Sequence, residues 1–235
     1  MRAETNRWLE RWSERVREIV DQGWYRHPQR ALARVLVEEM SFRGDREDYH
    51  RPENSHLSSV VRRRKGLPIL LSAVWCIVGR SAQLEVEGIG LPGHFVVRVD
   101  GALVDPFCGG RPLDVDGCRA IVARLSQGNL DWSDSFLAPV GTGRFAERVL
   151  RNLVGSYLRA GDALRIYRTL RLLTTLDPER LDFQLQRARI AEELGSIGEA
   201  TGIFRGLAEQ SRCRRTAAVA SKCLESLRER SPLVN

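Results

Sequence analysis

The apolar positions of this chain change period several times, and each change predicts a different element. Between residues 5 and 22, Trp8, Leu9, Trp12, Val16, Ile19 and Val20 recur at three- and four-residue spacing with Arg and Glu between them, the pattern of an amphipathic helix. Gly23 ends it. Its polar face carries both signs of charge, which suits a tryptophan stripe packed on a domain body rather than a membrane-surface helix. A second helix is expected over Pro28 to Met40, with Pro28 in its first turn and Ala31, Leu32, Val35, Leu36 and Met40 facing inward. Gly44 to Tyr49 is polar and loop-like; Asp45, Glu47 and Asp48 lack the alternation of a calcium loop and read as surface. Pro52-Glu53-Asn54-Ser55 opens a third helix. Asn54 or Ser55 serves as its N-cap, Leu57, Val60 and Val61 are its apolar positions, and Gly66 stops it.

Leu67 to Val78 is apolar on all sides, with Pro68 at the first-turn position where a missing N–H costs nothing. It is too long for a buried strand and too short for a membrane span, so it predicts a central helix buried all round. Leu84 to Gly90 is a strand and Leu91-Pro92-Gly93 a turn. Two short apolar runs then flank Asp100-Gly101, a strong hairpin signal. A two-residue turn sets Val99 opposite Ala102, Val96 opposite Asp105 and His94 opposite Phe107. Period-two alternation places His94, Val96 and Asp105 on one face, so His94 and Asp105 become diagonal neighbours within side-chain reach. An imidazole held by a carboxylate is two thirds of a nucleophilic triad. Phe107 to Leu113 reads as a loop through Gly109-Gly110, Asp114 to Gly117 as a turn rather than a metal loop, and Val115 to Leu125 as a short helix.

Ser133 to Gly143, containing proline and glycine, is the expected linker between a first domain over residues 1–138 and a second over 139–235. Beyond it the pattern is wholly helical and repeats every 34 residues: Tyr157 with Ala191, Gly161 with Gly195, Ile166 with Ala200, Leu170 with Phe204, Leu173 with Leu207. A helix-turn-helix period of that length is the tetratricopeptide pattern. Thr216 to Leu227 is the expected closing helix. Two repeats are fewer than a free-standing array needs, so this half is expected to lean on the first domain.

Composition narrows the function classes. The 235 residues are long enough to bury a real core, and 43% hydrophobic with 29% charged residues is ordinary for a globular protein. No leader-like h-region opens the chain and no apolar run reaches bilayer length, so no membrane partner is expected. Cys76, Cys108, Cys118, Cys213 and Cys223 form no CxxC pair, which reads as reduced thiols in a cytoplasmic protein, with neither a metal site nor a cofactor. The net charge of +7 owes much to Arg62-Arg63-Arg64-Lys65 and to Arg212 with Arg214-Arg215. Neither cluster is interleaved with aromatics, so both read as solvated basic surface rather than as a nucleic-acid site. The first falls in the last turn of a helix, where cations oppose the helix dipole favourably.

Four motifs in order carry a resemblance: Pro-x-Asn-Ser-x-Leu-x-x-Val (52–60), Arg-x-Gly-x-Pro (64–68), Gly-x-Gly-Leu-Pro-Gly-His-Phe (88–95) and Asp-Pro-Phe-x-Gly-Gly (105–110), followed by repeat helices. Together they resemble the SirB-type transglutaminase-like family over roughly residues 30–210. The resemblance implies an α+β, transglutaminase/papain-like domain, a buried helix against an antiparallel sheet, followed by an all-α tetratricopeptide-like domain. It also implies that His94 and Asp105 match a catalytic histidine and aspartate, and that a nucleophilic cysteine belongs at the start of the buried helix. Pro68 stands at that place, and Pro68, Asn54 and Gly93 are the candidate binding positions. A helix start lowers a thiol's pKa and offers N–H groups to an oxyanion, so the place is not interchangeable. Cys76 lies about 12 Å down the axis at roughly 1.5 Å per residue, among apolar neighbours. Ser72 is one turn from Pro68. Cys108, on the glycine-rich loop beside Phe107, is the remaining nucleophile candidate. Two functions follow: a non-catalytic module that binds a protein partner through its repeat helices, or a cysteine-type amide hydrolase or acyltransferase using Cys108, His94 and Asp105.

Overall fold

The computed structural model describes residues 2–211 and 213–230; Arg212, counted above in the second basic cluster, lies outside the described residues. The chain divides into two compact units, Met1–Phe145 and Ala146–Asn235.

In the first unit, α1 (Arg2–Asp21) buries Leu9, Trp12, Val16 and Ile19, one side of the expected stripe. The second helix has the expected extent but two geometries. α2 (Pro28–Ala33) is regular, and Arg34–Glu39 widens to π-helical bonding, with the Met40 N–H donating to the Val35 carbonyl at 2.9 Å. A short parallel pair, β1 (Arg43–Gly44) with β2 (Lys65–Gly66), brackets the polar loop and the third helix. Pro52–Ser55 is a 3₁₀ turn, and α3 (Leu57–Arg63) starts only after it with His56 at its N-cap. Asn54 and Ser55 are therefore not caps: both are buried in the turn. α3 also stops before Gly66, because Arg64 itself takes the left-handed conformation. Asp45 corrects another expectation; it is buried, not surface.

α4 (Pro68–Ser81) is buried at every position from Pro68 to Cys76, as a helix apolar on all sides must be. It packs on β3 (Val86–Ile89) and β4 (Val96–Val99), which continue antiparallel into β5 (Ala102–Asp105) and β6 (Arg111–Leu113) in the order β3-β4-β5-β6. Val97 faces Val104, Arg98 faces Leu103 and Val99 faces Ala102, the register that the Asp100-Gly101 turn dictates with φ of 44° and 83°. β6 replaces the expected loop. Its Pro112 argues against a strand, but β6 is the sheet's edge, where one missing N–H is tolerated. Val86 meets α4 at Gly79, while Ile89, Val96 and Leu103 pack with Cys118 and Val122 of α5 (Val115–Leu125) on the other face. Asp114 caps α5, its Oδ1 accepting the Gly117 N–H at 2.7 Å.

α6 (Thr142–Ala160) runs through the division. With α7 (Ala163–Leu176) and α8 (Leu181–Glu193) it builds one core, of Leu153, Val154, Tyr157, Ile166, Leu170, Leu173 and Phe183. A second core joins α8 to α9 (Ile197–Gln210) and α10 (Arg214–Arg230), around Ala191, Ala200, Phe204, Leu207 and Leu227. Positions 34 apart play matched parts: Gly161 and Gly195 each take positive φ just before α7 and α9, and Leu170 with Phe204 and Leu173 with Leu207 are buried. Among the described residues, no helix is long and apolar enough to cross a membrane.

Candidate functional site

The site is assembled where the hairpin strands end. Pro92-Gly93 turns the chain into β4, the His94 N–H donating to the Leu91 carbonyl at 3.1 Å, and Gly93 takes φ +75° there. Gly93 is thus a backbone hinge of the turn, its Cβ position facing Leu125 at 3.2 Å. The turn delivers the His94 ring to the last residue of β5. His94 Nε2 lies 3.0 Å from Asp105 Oδ2, with the two residues only 8% and 2% exposed. At such burial a carboxylate must be hydrogen-bonded on both oxygens. Oδ1 meets this by accepting the Phe107 N–H at 2.9 Å and the Cys108 N–H at 3.2 Å. Burial alone would push the Asp105 carboxyl up. The His94 contact and the Cys108 thiol and amide outweigh it and hold the group below the usual carboxylate range. With Nε2 turned to Asp105, any role toward a third group falls to His94 Nδ1.

The surroundings decide what that pair can do. Phe107 stands edge-on to His94, with centroids 5.9 Å apart and planes at 90°, and Tyr49 stacks edge-on to Phe107 in turn. Cys108 lies on this side, its amide on Asp105 and its sulfur accepting from Arg46 Nη2 at 3.4 Å. Burial pushes its thiol up, Asp105 adds to this, and Arg46 only partly opposes it. The structure therefore brings Cys108 to the carboxylate of the pair but in a setting that disfavours the thiolate. Cys76 is buried in α4 with its thiol pushed up to about 11, and Cys118 is likewise at about 11. Ser72 is buried and its hydroxyl donates to the Phe95 carbonyl at 3.5 Å. Pro68 is the first residue of α4 and carries no nucleophile.

Asn54 is brought to the wall of the site rather than into it. Its Nδ2 donates to the carbonyls of Asp48 at 2.7 Å and Tyr49 at 3.3 Å, while its Oδ1 accepts from Arg63 Nη1 at 2.8 Å. Arg63 also reaches buried Asp45 at 2.8 Å, so two arginine donors tie the polar loop to α3. These contacts hold Tyr49, and hence Phe107, in place. Asp45, Arg46 and Tyr49 were not singled out as site residues from the sequence. One signal was available for Asp45: it accepts the Asp48 N–H, an Asx-type turn that the spacing Asp45 to Asp48 allows. Nothing local points to Arg46, whose partner lies 62 residues away. Among the described residues, no three His, Cys, Asp or Glu side chains gather as a metal-binding group.

Comparison with known proteins finds relatives of the chain. A UPF0162 protein of Xylella fastidiosa is 38% identical over 135 residues, covering 54% of this chain and 48% of that protein. A UPF0162 protein of Pseudomonas aeruginosa is 30% identical over 151 residues, covering 62% of this chain and 56% of its own. Human F-box only protein 21 is 26% identical over 180 residues, 70% of this chain but 28% of the F-box protein. The chain thus spans about half the length of the bacterial relatives it matches. No solved structure matches it significantly. The family model that matches residues 3–151, and so covers more than half of the chain and the whole hairpin site, is that of the transglutaminase-like superfamily, to which this chain belongs.

Proposed function

We propose that this is a SirB-type transglutaminase-like protein that has lost the usual reaction and acts by binding a protein partner through tetratricopeptide-like helices. The observation that carries the reading is the start of α4. There the superfamily's chemistry calls for a thiol beside free N–H donors, and Pro68 supplies neither. The Cys108 setting supports it, since a thiol pushed up by burial and a neighbouring carboxylate is a poor nucleophile at neutral pH. Leu158, Leu164 and Leu172 of α6 and α7, each about half exposed, are the kind of apolar surface a protein partner covers.

The second reading is favoured by one observation, the intact His94–Asp105 pair with the Cys108 amide on the same carboxylate. Here Cys108 would yield its proton to His94 as sulfur attacks an amide carbonyl. The amine would leave with that proton, and water or a second nucleophile would release the acyl group.

Limiting iodoacetamide followed by mass spectrometry separates the two. Exposed Cys213, whose thiol is lowered by hydrogen bonds from Thr216, should label first, with Cys108 slow and unchanged by His94→Ala. Fast labelling of Cys108 that falls at least tenfold in His94→Ala would overturn the non-catalytic reading in favour of the enzyme.

A further inference from the structure

Away from the hairpin, one arginine sits in an unusual place. Arg64 follows the last residue of α3 with φ 60° and ψ 20°, the left-handed conformation that normally selects glycine or asparagine. Its guanidinium carbon lies 4.4 Å from the centroid of Trp12, 5.3 Å from Phe42 and 5.5 Å from Trp8. Those rings form one cluster: Trp8 and Trp12 are a helical turn apart with centroids at 6.4 Å, and Trp12 stands edge-on to Phe42 at 5.3 Å. Nη1 of Arg64 is buried and has no hydrogen-bond partner among the described residues. Burial pulls the guanidinium below the usual arginine range. A buried charged donor left unmade is among the costlier features a fold can keep. The same residue keeps a left-handed backbone, a strain that persists only where the surrounding structure over-determines it.

A cavity of about 380 Å³ opens against this arginine. Trp8, Trp12 and Met40 provide its apolar wall, and Arg11 and Arg15 join Arg64 as its cations. Its one acid, Glu39, pairs with Arg15 at 3.5 Å and Arg34 at 3.3 Å, and Arg15 also pairs with Glu18 at 3.2 Å, so Arg11 and Arg64 carry the charge that is left over. The surplus is positive, the volume suits a small molecule, and the walls are flat and aromatic.

We propose that this cavity binds a small planar carboxylate, its anionic end received by Arg64 and its apolar body lying on Trp8 and Trp12. A guanidinium fork matches a carboxylate in two parallel hydrogen bonds, which an ammonium does not. This inference stands apart from the fate of the His94–Asp105 pair.

The test is a titration of the full chain with 2-naphthoate, followed by the indole N–H signals of Trp8 and Trp12 in NMR spectra. Saturable movement of both signals is expected, with at least tenfold weaker binding of the neutral isostere 2-naphthamide. Arg64→Gly, which suits the left-handed backbone, should weaken 2-naphthoate at least tenfold, and Arg64→Lys should recover only part of it. Equal binding of acid and amide on the unaltered protein would overturn the proposal whether or not the variants fold. So would the absence of saturation up to the solubility limit, or binding that leaves the two indole signals unmoved.

Discussion

Asp105 concentrates the energetics of the hairpin site in one carboxylate. It accepts from the His94 side of the site through Oδ2 and from two backbone amides through Oδ1, in a place that water barely reaches. Removing its charge leaves those donors short of an acceptor, so Asp105→Asn is expected to lose about 1–3 kcal/mol at pH 7. The pH dependence has a definite sign. The carboxyl is held lower in the folded protein than in the unfolded chain, so its stabilisation is complete above the unfolded pKa of about 3.9 and lost as pH falls through the folded value. Urea unfolding of both proteins from pH 7 downward should show the gap between them narrowing below about pH 4; a gap independent of pH would refute the assignment. The proximity of His94 to Asp105 was legible from the chain, because a two-residue turn leaves only one register. The setting of Cys108 was not, since the burial that raises its thiol and the Arg46 side chain, 62 residues away, arrive only in the tertiary structure, although Asp105 is a local partner.

At the scale of elements, long periodic segments were legible and short ones were not. α1, α4 and α5 each carry several turns of apolar pattern and form where that pattern lies. β1 and β2 are two residues each, too short to show any period, yet they close the frame around the polar loop. Gly44 of β1 is the clearest sign of that closure. Its N–H donates to the Phe107 carbonyl at 3.2 Å, and a Cβ added there would lie 2.5 Å from the Phe107 ring. Gly44→Ala must therefore push Phe107 off its place beside His94, at a cost of about 1–3 kcal/mol. Chemical denaturation together with the His94 ring resonances checks this: both should shift, and an unmoved His94 signal would show that Phe107 has room to yield. The third helix illustrates the opposite failure. Asn54 has the composition of an N-cap, but burial with Arg63 and the loop carbonyls offers it three partners, and α3 begins three residues later.

For the whole molecule, the division into two units has a thermodynamic consequence. Leu170 and Leu173 lie in a core whose members all come from α6, α7 and α8, while Val96 and Leu103 pack with α5 and the sheet. Leu170→Ala should cost about 2–5 kcal/mol and lower the melting of the helical unit. Far-ultraviolet circular dichroism should report that loss at a temperature where the His94 resonances remain native; a single transition lowered for both probes would show one cooperative body instead. By itself, the sequence determined the buried helix, the hairpin and its register, the pairing of His94 with Asp105, and the 34-residue period, because each follows from local spacing and turn chemistry. Only the tertiary structure decided that Asp45 and Asn54 are buried, that Arg64 lies among three rings with no counter-ion among the described residues, and that the half-buried Cys108 thiol is raised. Those outcomes depend on which distant side chains arrive at a buried point, and desolvation there, not local propensity, sets the chemistry.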